Sequence, residues 1–310
     1  MRELVVISGK GGTGKTSVAA ALATLLADVV VADCDVDAAD LHLLLDPEIK
    51  TAAPFVAGFQ AIIEPDACSA CGVCAGLCRF DAIAAATDQR LGPYAIDPLA
   101  CEGCGLCAEV CPEGAIAMQE RTCGEWYHSE TRCGPLVHAR LSVGGENSGR
   151  LVTLVRKEAR RIAAEQGRDL ILVDGPPGTG CPVIAAITGA TAVLVVTEPT
   201  VSGEHDLQRV LDVAAHFRVP AALCINKCDL NPEMADRILT LAARRGAPLL
   251  AELPFDDSVT AAQLAGRTLT EWTDTPIAGQ VRELGRRCLE LLESKAAATA
   301  SAETEAPATG

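Results

Sequence analysis

The chain has 310 residues, enough for one large α/β domain with a small insert or for two ordinary domains. Its hydrophobic fraction of 49% supports a sizeable core, and because aromatic residues make up only 3%, that core must consist mainly of Val, Leu, Ile and Ala. The net charge of -15 argues against non-specific nucleic-acid binding, which depends on basic surfaces.

The apolar segments argue against membrane insertion. The longest runs have strand length and fall short of the ~20 residues that a membrane-spanning helix needs. Residues 1–8 lead directly into a glycine-rich loop and leave no room for a signal peptide. We therefore expect a cytoplasmic protein.

Short apolar runs of strand character alternate with helical patterns along most of the chain. The strand-like runs are residues 4–8, 29–32, 170–173, 192–196, 221–225 and, more weakly, 248–253. The helical patterns are residues 16–27, 151–165, 203–216, 232–245 and 277–293. Continuous apolar strands between helices are typical of a parallel sheet that is covered on both faces. The predicted fold class is therefore α/β, with a mostly parallel sheet and helices on both faces.

This alternation stops between about residues 59 and 121, where glycines are dense and cysteines cluster. Within this stretch, residues 68–83 and 101–116 align without gaps and are identical at eight of sixteen positions. An internal duplication of this size indicates an inserted α+β module. The predicted bounds are 1–60 and 121–293 for the two parts of the main domain, 61–120 for the insert, and 294–310 for a disordered tail rich in Ala, Thr and Glu.

A glycine-rich loop lies between the first strand and the first helix. Its residues are Gly9, Lys10, Gly11, Gly12, Thr13, Gly14, Lys15 and Thr16, with Ser17 next. They fit the pattern G-x-x-x-x-G-K-(S/T), in which backbone N–H groups and a helix N-terminus surround phosphate oxygens. We expect Lys15 to hold the β- and γ-phosphates of a nucleotide and Thr16 to ligate Mg²⁺. The alternative is a glycine-rich turn without a ligand, which the complete pattern in this context makes the weaker interpretation.

The second lysine of the loop, Lys10, could be a solvated loop charge. Its place in K-G-G-x-G-K-T, however, resembles the deviant phosphate loop of the MinD, ParA and nitrogenase-iron-protein group. The resemblance implies a nucleotide-dependent, face-to-face homodimer in which Lys10 reaches the phosphates bound by the partner subunit. A cation supplied in this way can stabilise the charge that develops during phosphoryl transfer, as an arginine finger does.

The same resemblance assigns two acidic segments. Asp33 and Asp35 follow the second strand and correspond to switch I, where Asp35 orients the attacking water and Asp33 acts on Mg²⁺ through a water. Asp174 ends a later strand and corresponds to the Walker B aspartate, which approaches Mg²⁺ through water. Switch II then comprises Gly175, Pro176, Pro177 and Gly178. Because an aspartate before Gly-Pro is also common in simple turns, this assignment depends on the other two segments.

The sequence leaves the choice of base open. Residues 226–229 read N-K-C-D, the pattern with which GTPases recognise guanine. In the group that the chain resembles, an asparagine at this place, here Asn226, contacts adenine with help from a later segment that includes Pro254. Since the resemblance extends well beyond these residues, we expect ATP and ADP as ligands, with GTP as the alternative.

Eight of the fifteen cysteines form two ladders of equal spacing. The first ladder is Cys68-x2-Cys71-x2-Cys74-x3-Cys78, and the second is Cys101-x2-Cys104-x2-Cys107-x3-Cys111. Both match the cysteine run of two-cluster bacterial ferredoxins, in which the fourth cysteine of each ladder binds the other cluster. The predicted ligand sets are Cys68, Cys71, Cys74 and Cys111 for one 4Fe-4S cluster, and Cys101, Cys104, Cys107 and Cys78 for the second. Structural zinc, the alternative, usually uses C-x2-C pairs and fits this duplicated pattern less well.

Together these motifs resemble MinD/Mrp-superfamily ATPases with an inserted two-cluster ferredoxin domain, over about residues 1–293. The resemblance leaves three functions open: an ATP-dependent electron carrier, an iron–sulfur assembly or carrier ATPase of the Mrp type, and a spatial regulator such as MinD or ParA. Mrp proteins typically hold a labile cluster on a C-terminal C-x2-C pair, which does not occur after Cys111. A spatial regulator needs a membrane helix or a basic DNA surface. We therefore expect a Mg²⁺-dependent ATPase that passes electrons to a redox or iron–sulfur client protein.

Overall fold

The structure is a computed structural model that describes residues 1–88 and 92–304, with side chains described up to residue 294. Its contacts divide the chain into two units. The first unit contains Met1–Ala53, Glu125–Arg140 and the chain from Ser148 onward, and the second contains Pro54–Gly124 and Leu141–Asn147. The second unit thus begins earlier and ends later than the predicted insert at 61–120. We call them the sheet unit and the cysteine unit.

Nine strands form the main sheet. Their bounds are β1 Arg2–Ser8, β2 Val29–Asp33, β3 Glu48–Ile63, β6 Ile116–Thr131, β7 Gly134–Leu141, β8 Leu170–Pro177, β9 Ala192–Thr197, β10 Ala221–Asn226 and β11 Leu249–Leu253. Two short strands, β4 Ile83–Ala85 and β5 Tyr94–Ile96, pair separately. The strand order in the main sheet is β11-β10-β9-β1-β8-β2-β7-β6-β3.

Every neighbouring pair from β11 to β7 in this order is parallel. This arrangement confirms the predicted α/β fold with a mostly parallel sheet. Asp174 at the end region of β8 pairs in register with Val6 of β1 on one side and with Asp33 of β2 on the other. The carboxyl ends of three central strands therefore meet at one edge, where ligands bind in open α/β sheets.

Eleven α-helices lie in the described residues. Their bounds are α1 Lys15–Leu25, α2 Leu41–Leu45, α3 Val73–Leu77, α4 Leu106–Glu109, α5 Ser148–Glu165, α6 Cys181–Ile187, α7 Val201–His216, α8 Pro232–Arg244, α9 Asp257–Leu264, α10 Leu269–Trp272 and α11 Pro276–Thr304. Helix α11 extends into the stretch for which a disordered tail was predicted, and residues 305–310 lie outside the described part of the chain. None of the helices described here is long and apolar enough to cross a membrane.

Alternate residues of the buried strands belong to different sides of the sheet. Leu4 and Val6 of β1 pack in a core with residues of α1 and α11, whereas Val5 and Ile7 are equally buried but lie outside that core. Helices α5 and α6 pack against each other. Helix α5 contacts β2, and helix α6 contacts β8. Burial on both faces explains why these strands are continuously apolar in the sequence.

Three strands of the main sheet, β3, β6 and β7, were not among the strand-like runs predicted from the sequence. Strand β3 lies at the edge of the sheet and is largely exposed along its first half. It contains Pro54 and Gly58, which are tolerated at an edge but obscure a strand pattern. Strands β6 and β7 are joined by only Arg132 and Cys133, a length that produces an antiparallel hairpin.

The cysteine unit has a small core of its own. Strands β4 and β5 pair antiparallel, with Ile83 opposite Ile96. Ile63, Ile83 and Ile116 form the centre of an apolar cluster that also includes most of the ladder cysteines. The cysteines are therefore arranged around a compact apolar centre within this unit.

Candidate functional site

The phosphate loop joins β1 to α1 and has the backbone shape that its glycines predict. Gly12 and Gly14 have positive φ angles of 81° and 89°. A Cβ atom on Gly14 would lie 2.3 Å from Nδ2 of Asn226, so the loop and β10 approach each other as closely as glycine permits. That amide group donates a 2.8 Å hydrogen bond to the carbonyl of Thr13. Helix α1 begins at Lys15 and directs its N-terminal N–H groups at the loop.

A cavity of about 460 Å³ opens beside this loop, within the usual size range of small-molecule sites. The predicted site residues that line it are Gly11, Gly12, Gly14, Lys15, Thr16, Ser17, Asp35, Pro177, Asn226 and Pro254. Phe255, next to Pro254, also lines the cavity. Val259 and Gln263 line it as well and were not predicted, because no sequence pattern marks α9 as part of a site. Gln263 Nε2 donates a 2.7 Å hydrogen bond to the Ser17 hydroxyl, which links α9 to the loop.

Lys15 brings three predicted residues together. Its Nζ lies 2.7 Å from Oδ1 of Asp174, 3.2 Å from Oδ2 of Asp35 and 3.2 Å from Oγ1 of Thr16. Burial alone would lower the pKa of Lys15, but the carboxylates of Asp174 and Asp35 outweigh it and raise that pKa above its ordinary value. The lysine is therefore charged and acts as the local counter-ion of Asp174 and Asp35.

Several buried oxygens near Lys15 have no partner. Asp33 Oδ1 accepts a 3.1 Å hydrogen bond from the N–H of Asp35, while burial and the nearby Asp174 raise the pKa of Asp33 well above its ordinary value. Among the described residues, Asp33 Oδ2, Asp174 Oδ2 and Thr13 Oγ1 are buried without a hydrogen-bond partner. Mg²⁺ with its shell of water binds such oxygen sets, so these residues fit the predicted ion.

Lys10 makes its contacts within its own chain. Its Nζ lies 2.6 Å from Oε1 of Glu198, 3.0 Å from Oγ of Ser202 and 3.2 Å from Oγ1 of Thr200. Glu198 also accepts from Lys227 at 3.2 Å. Burial opposes the charge of Glu198, but the hydrogen bonds from Lys10 and Lys227 hold its pKa below the ordinary value. No sequence pattern marks Glu198 as a site residue, since only the fold brings it beside the loop.

The predicted switch II segment is packed against β1. Gly178 donates a 2.8 Å hydrogen bond from its N–H to the carbonyl of Ser8. A Cβ atom on Gly175 would lie 2.7 Å from a methyl group of Ile7, so a larger residue would displace the segment. Pro176 lies between them within β8, and Arg209 of α7 donates to the Thr179 hydroxyl at 3.0 Å.

The N-K-C-D segment, residues 226–229, contacts both the phosphate loop and the chain that follows β11. Asp229 Oδ1 accepts a 2.6 Å hydrogen bond from the backbone N–H of Phe255. In a GTPase, the aspartate of this motif accepts from guanine, whereas here Asp229 does not line the cavity. Asn226 and Pro254 do line it. This arrangement favours the interpretation as an adenine site over the guanine alternative.

Two further cavities lie in the cysteine unit, and the cysteine ladders line them in crossed sets. The first is lined by Cys68, Cys71, Cys74 and Cys111, together with Tyr94 and Pro112. The second is lined by Cys78, Cys101, Cys104 and Cys107, together with Cys74, Arg79 and Phe80. Each cavity thus contains one predicted set of four ligands. The backbone N–H of Ala115 donates to Sγ of Cys111 at 3.3 Å, a contact that suits an iron-bound sulfur.

The described residues contain no group of three or more His, Cys, Asp or Glu side chains that could hold a single metal ion. A cubane cluster requires a different arrangement, because each of its four thiolates binds a separate iron. Each of the two described cysteine sets lines a cavity and does not form a site for a single metal ion. They fit a cluster better than a single structural zinc.

Comparison with known proteins identifies the family. The model of the CobQ/CobB/MinD/ParA nucleotide binding domain matches residues 4–269, which include the glycine-rich loop and the acidic segments at 33–35 and 174–178. The chain belongs to this family. The solved structure of the septum site-determining protein MinD with Mg-ADP from Pyrococcus horikoshii has the same fold, with a TM-score of 0.56, 19% identity and coverage of 95% of this chain and 98% of that one.

Two curated relatives carry further information. An uncharacterised protein of Methanocaldococcus jannaschii is 35% identical over 233 residues, which are 74% of this chain and 79% of the relative. The iron-sulfur cluster carrier protein of Pyrococcus horikoshii is 24% identical over 159 residues, which are 47% of this chain and 53% of the relative.

Proposed function

We propose that the protein is a Mg²⁺-dependent ATPase whose nucleotide-dependent homodimer is coupled to electron transfer, through two 4Fe-4S clusters, to a partner protein. The observation that carries this proposal is the presence in one chain of a phosphate-loop cavity and of two cavities lined by crossed cysteine sets. The first supports nucleotide binding, and the other two support paired redox centres.

Nucleotide binding requires an exchange of partners at Lys15. Its ammonium group leaves the carboxylates of Asp174 and Asp35 for the β- and γ-phosphates. Mg²⁺, when bound, neutralises charge on the phosphates, and Thr16 with Asp33 and Asp174 would hold it directly or through water. Asp35, which lines the cavity, is then free to orient the attacking water. The unpartnered oxygens of Asp33 and Asp174 support this assignment.

Lys10 has a separate role in the dimer. We assign it to the phosphates bound by the partner subunit, where its charge stabilises the transferring phosphoryl group. Before dimerisation it is held by Glu198. When Lys10 leaves, Glu198 retains the ion pair with Lys227, so the move does not leave a carboxylate without a cation. Because Lys227 remains as a second cation, Lys10 can move from Glu198 to the phosphates bound by the partner subunit.

The clusters supply one-electron chemistry to the cysteine unit. Their ligands would be the two crossed sets of four cysteines, and Cys71 and Cys104 are the exposed members of the first and second set. Exposure of one sulfur in each set gives an external redox protein a short path to each cluster. Most of the other ladder cysteines pack in the apolar core of the unit, which favours stably bound clusters.

A second candidate function is cluster delivery, as the name of the Pyrococcus horikoshii relative suggests. A carrier releases its cluster to a recipient, whereas an electron carrier retains it. Incubation of the loaded protein with an apo-ferredoxin separates the two functions. Transfer of iron and sulfide to that acceptor would favour delivery, and retention would favour electron transfer.

The cluster content provides the direct test. Protein purified without oxygen should contain about eight iron and eight sulfide per chain, because two cubane clusters with four ligands each require them. Stoichiometric zinc with negligible sulfide would contradict the proposal. Cys78→Ser should mainly damage the cluster of the second ladder and leave roughly four iron, since the fourth ligands cross over. Cys181→Ser, an exposed cysteine outside the ladders, is the matched control and should keep the full content.

A further inference from the structure

The two halves of the internal duplication differ at the residue after the fourth cysteine. Arg79 follows Cys78, whereas Pro112 follows Cys111 at the aligned position. Arg79 lines the second cavity and Pro112 lines the first. The structure therefore places a cation beside one cysteine set and an uncharged residue at the matching place beside the other.

A ring contact fixes the position of this cation. The guanidinium carbon of Arg79 lies 4.7 Å from the centroid of the Phe80 ring, and Phe80 lines the same cavity. Cation–π contacts of this kind hold an arginine head group over an aromatic face. The charge is thus held near the cavity even though the side chain is exposed.

The charged residues that line the two cavities otherwise match. One glutamate lines each cavity, Glu113 at the first and Glu102 at the second. Outside the lining of the second cavity, Arg121 donates to the carbonyl of Cys101 at 3.3 Å, and the acidic side chain of Glu146 lies beside both Glu102 and Arg121. Among the described residues that line the two cavities, Arg79 is the charged residue that one cavity has and the other lacks.

We infer that Arg79 raises the reduction potential of the second cluster above that of the first, so that a shared electron resides mainly on the second. When the electron moves, the first cluster is oxidised by one electron and the second is reduced by one, with no bond made or broken. A nearby cation stabilises the added negative charge, and net charge is one of the factors that set cluster potentials. The inference rests on the proposed function, and it makes the second cluster the donor to the partner protein.

A redox titration followed by electron paramagnetic resonance tests this inference on the loaded full-length protein. The wild type should show two one-electron transitions. Arg79→Gln should make reduction of the higher-potential cluster about threefold less favourable, in the range that one exposed charge contributes, or about 30 mV at 59 mV per tenfold. Arg79→Lys retains the charge and should behave like the wild type.

The duplication offers a matched variant at the other cavity. Pro112→Arg should raise the midpoint potential of the lower-potential cluster and so reduce the difference between the two potentials. This variant tests the inference if Arg79→Gln loses a cluster. Unchanged potentials in Arg79→Gln, a shift of the lower transition, or an equal shift in Arg79→Lys would show the inference to be wrong. The iron and sulfide content is measured first on each sample, so that absence of clusters, which contradicts the proposed function, is not confused with absence of the Arg79 effect.

Discussion

Lys10→Ala should reduce ATP hydrolysis by about 10³-fold or more, because the site would lose a cation that acts as an arginine finger does. Binding of ATP to a single chain should survive, since Lys15 and the loop amides remain in place. Steady-state hydrolysis and calorimetric binding measure the two effects. Lys157→Ala, which removes an exposed lysine on α5, is the control and should change neither.

Mixing two inactive variants tests whether Lys10 acts in trans. Asp35→Ala should bind ATP and dimerise but lose the positioned water. In a mixed dimer with Lys10→Ala, the ATP held by the Lys10→Ala chain has its own Asp35 and the Lys10 of the other chain. That composite site should hydrolyse ATP although neither variant does so alone. No recovery of activity in mixtures that demonstrably form dimers would mean that Lys10 acts elsewhere.

Lys15→Ala should abolish ATP binding and also destabilise the protein without nucleotide. Removing the ammonium group leaves Asp174 and Asp35 close together without their cation, and breaking a buried ion pair in this way typically costs about 3 kcal/mol or more. Urea unfolding of the sheet unit within the full-length protein, with calorimetry for ATP binding, measures both effects.

A double variant separates the two roles of Lys15. Adding Asp174→Asn removes one of the unpaired charges, so Lys15→Ala/Asp174→Asn should regain part of the lost stability but no ATP affinity. If the single variant is as stable as the wild type, Lys15 is not the counter-ion of Asp174 and Asp35. If the double variant regains no stability, the single variant is destabilised because it loses the packing of the Lys15 side chain, and not because it leaves unpaired charges.

The sheet could be predicted because its central strands are buried on both faces. Strands such as β2 and β9 are entirely buried and therefore read as unbroken apolar runs. Strand β3 could not be predicted in this way, because it lies at an exposed edge and includes Pro54 and Gly58. The pattern of apolar residues along a sequence reflects burial, so an exposed edge strand has no clear apolar pattern from which to predict it.

The site was predictable where one short segment supplies the chemistry. The phosphate loop and the cysteine ladders are such segments, and their spacing determines which ligands they can hold. Glu198 and Gln263 escaped prediction because their contacts with Lys10 and Ser17 are made across 188 and 246 residues of sequence. Contacts of this kind depend on the order of strands in the sheet, which the alternation of apolar runs does not specify.

A comparison of cluster potentials in two nucleotide states tests the coupling most directly. The Asp35→Ala protein, loaded with clusters, should be titrated once with Mg-ATP and once with Mg-ADP. If nucleotide state and redox state are coupled, at least one midpoint potential should differ between the two titrations. By linkage, reduction should then change the ratio of ATP affinity to ADP affinity by the same factor. Identical titration curves, with eight irons per chain and an ATP-dependent dimer both established, would contradict the account.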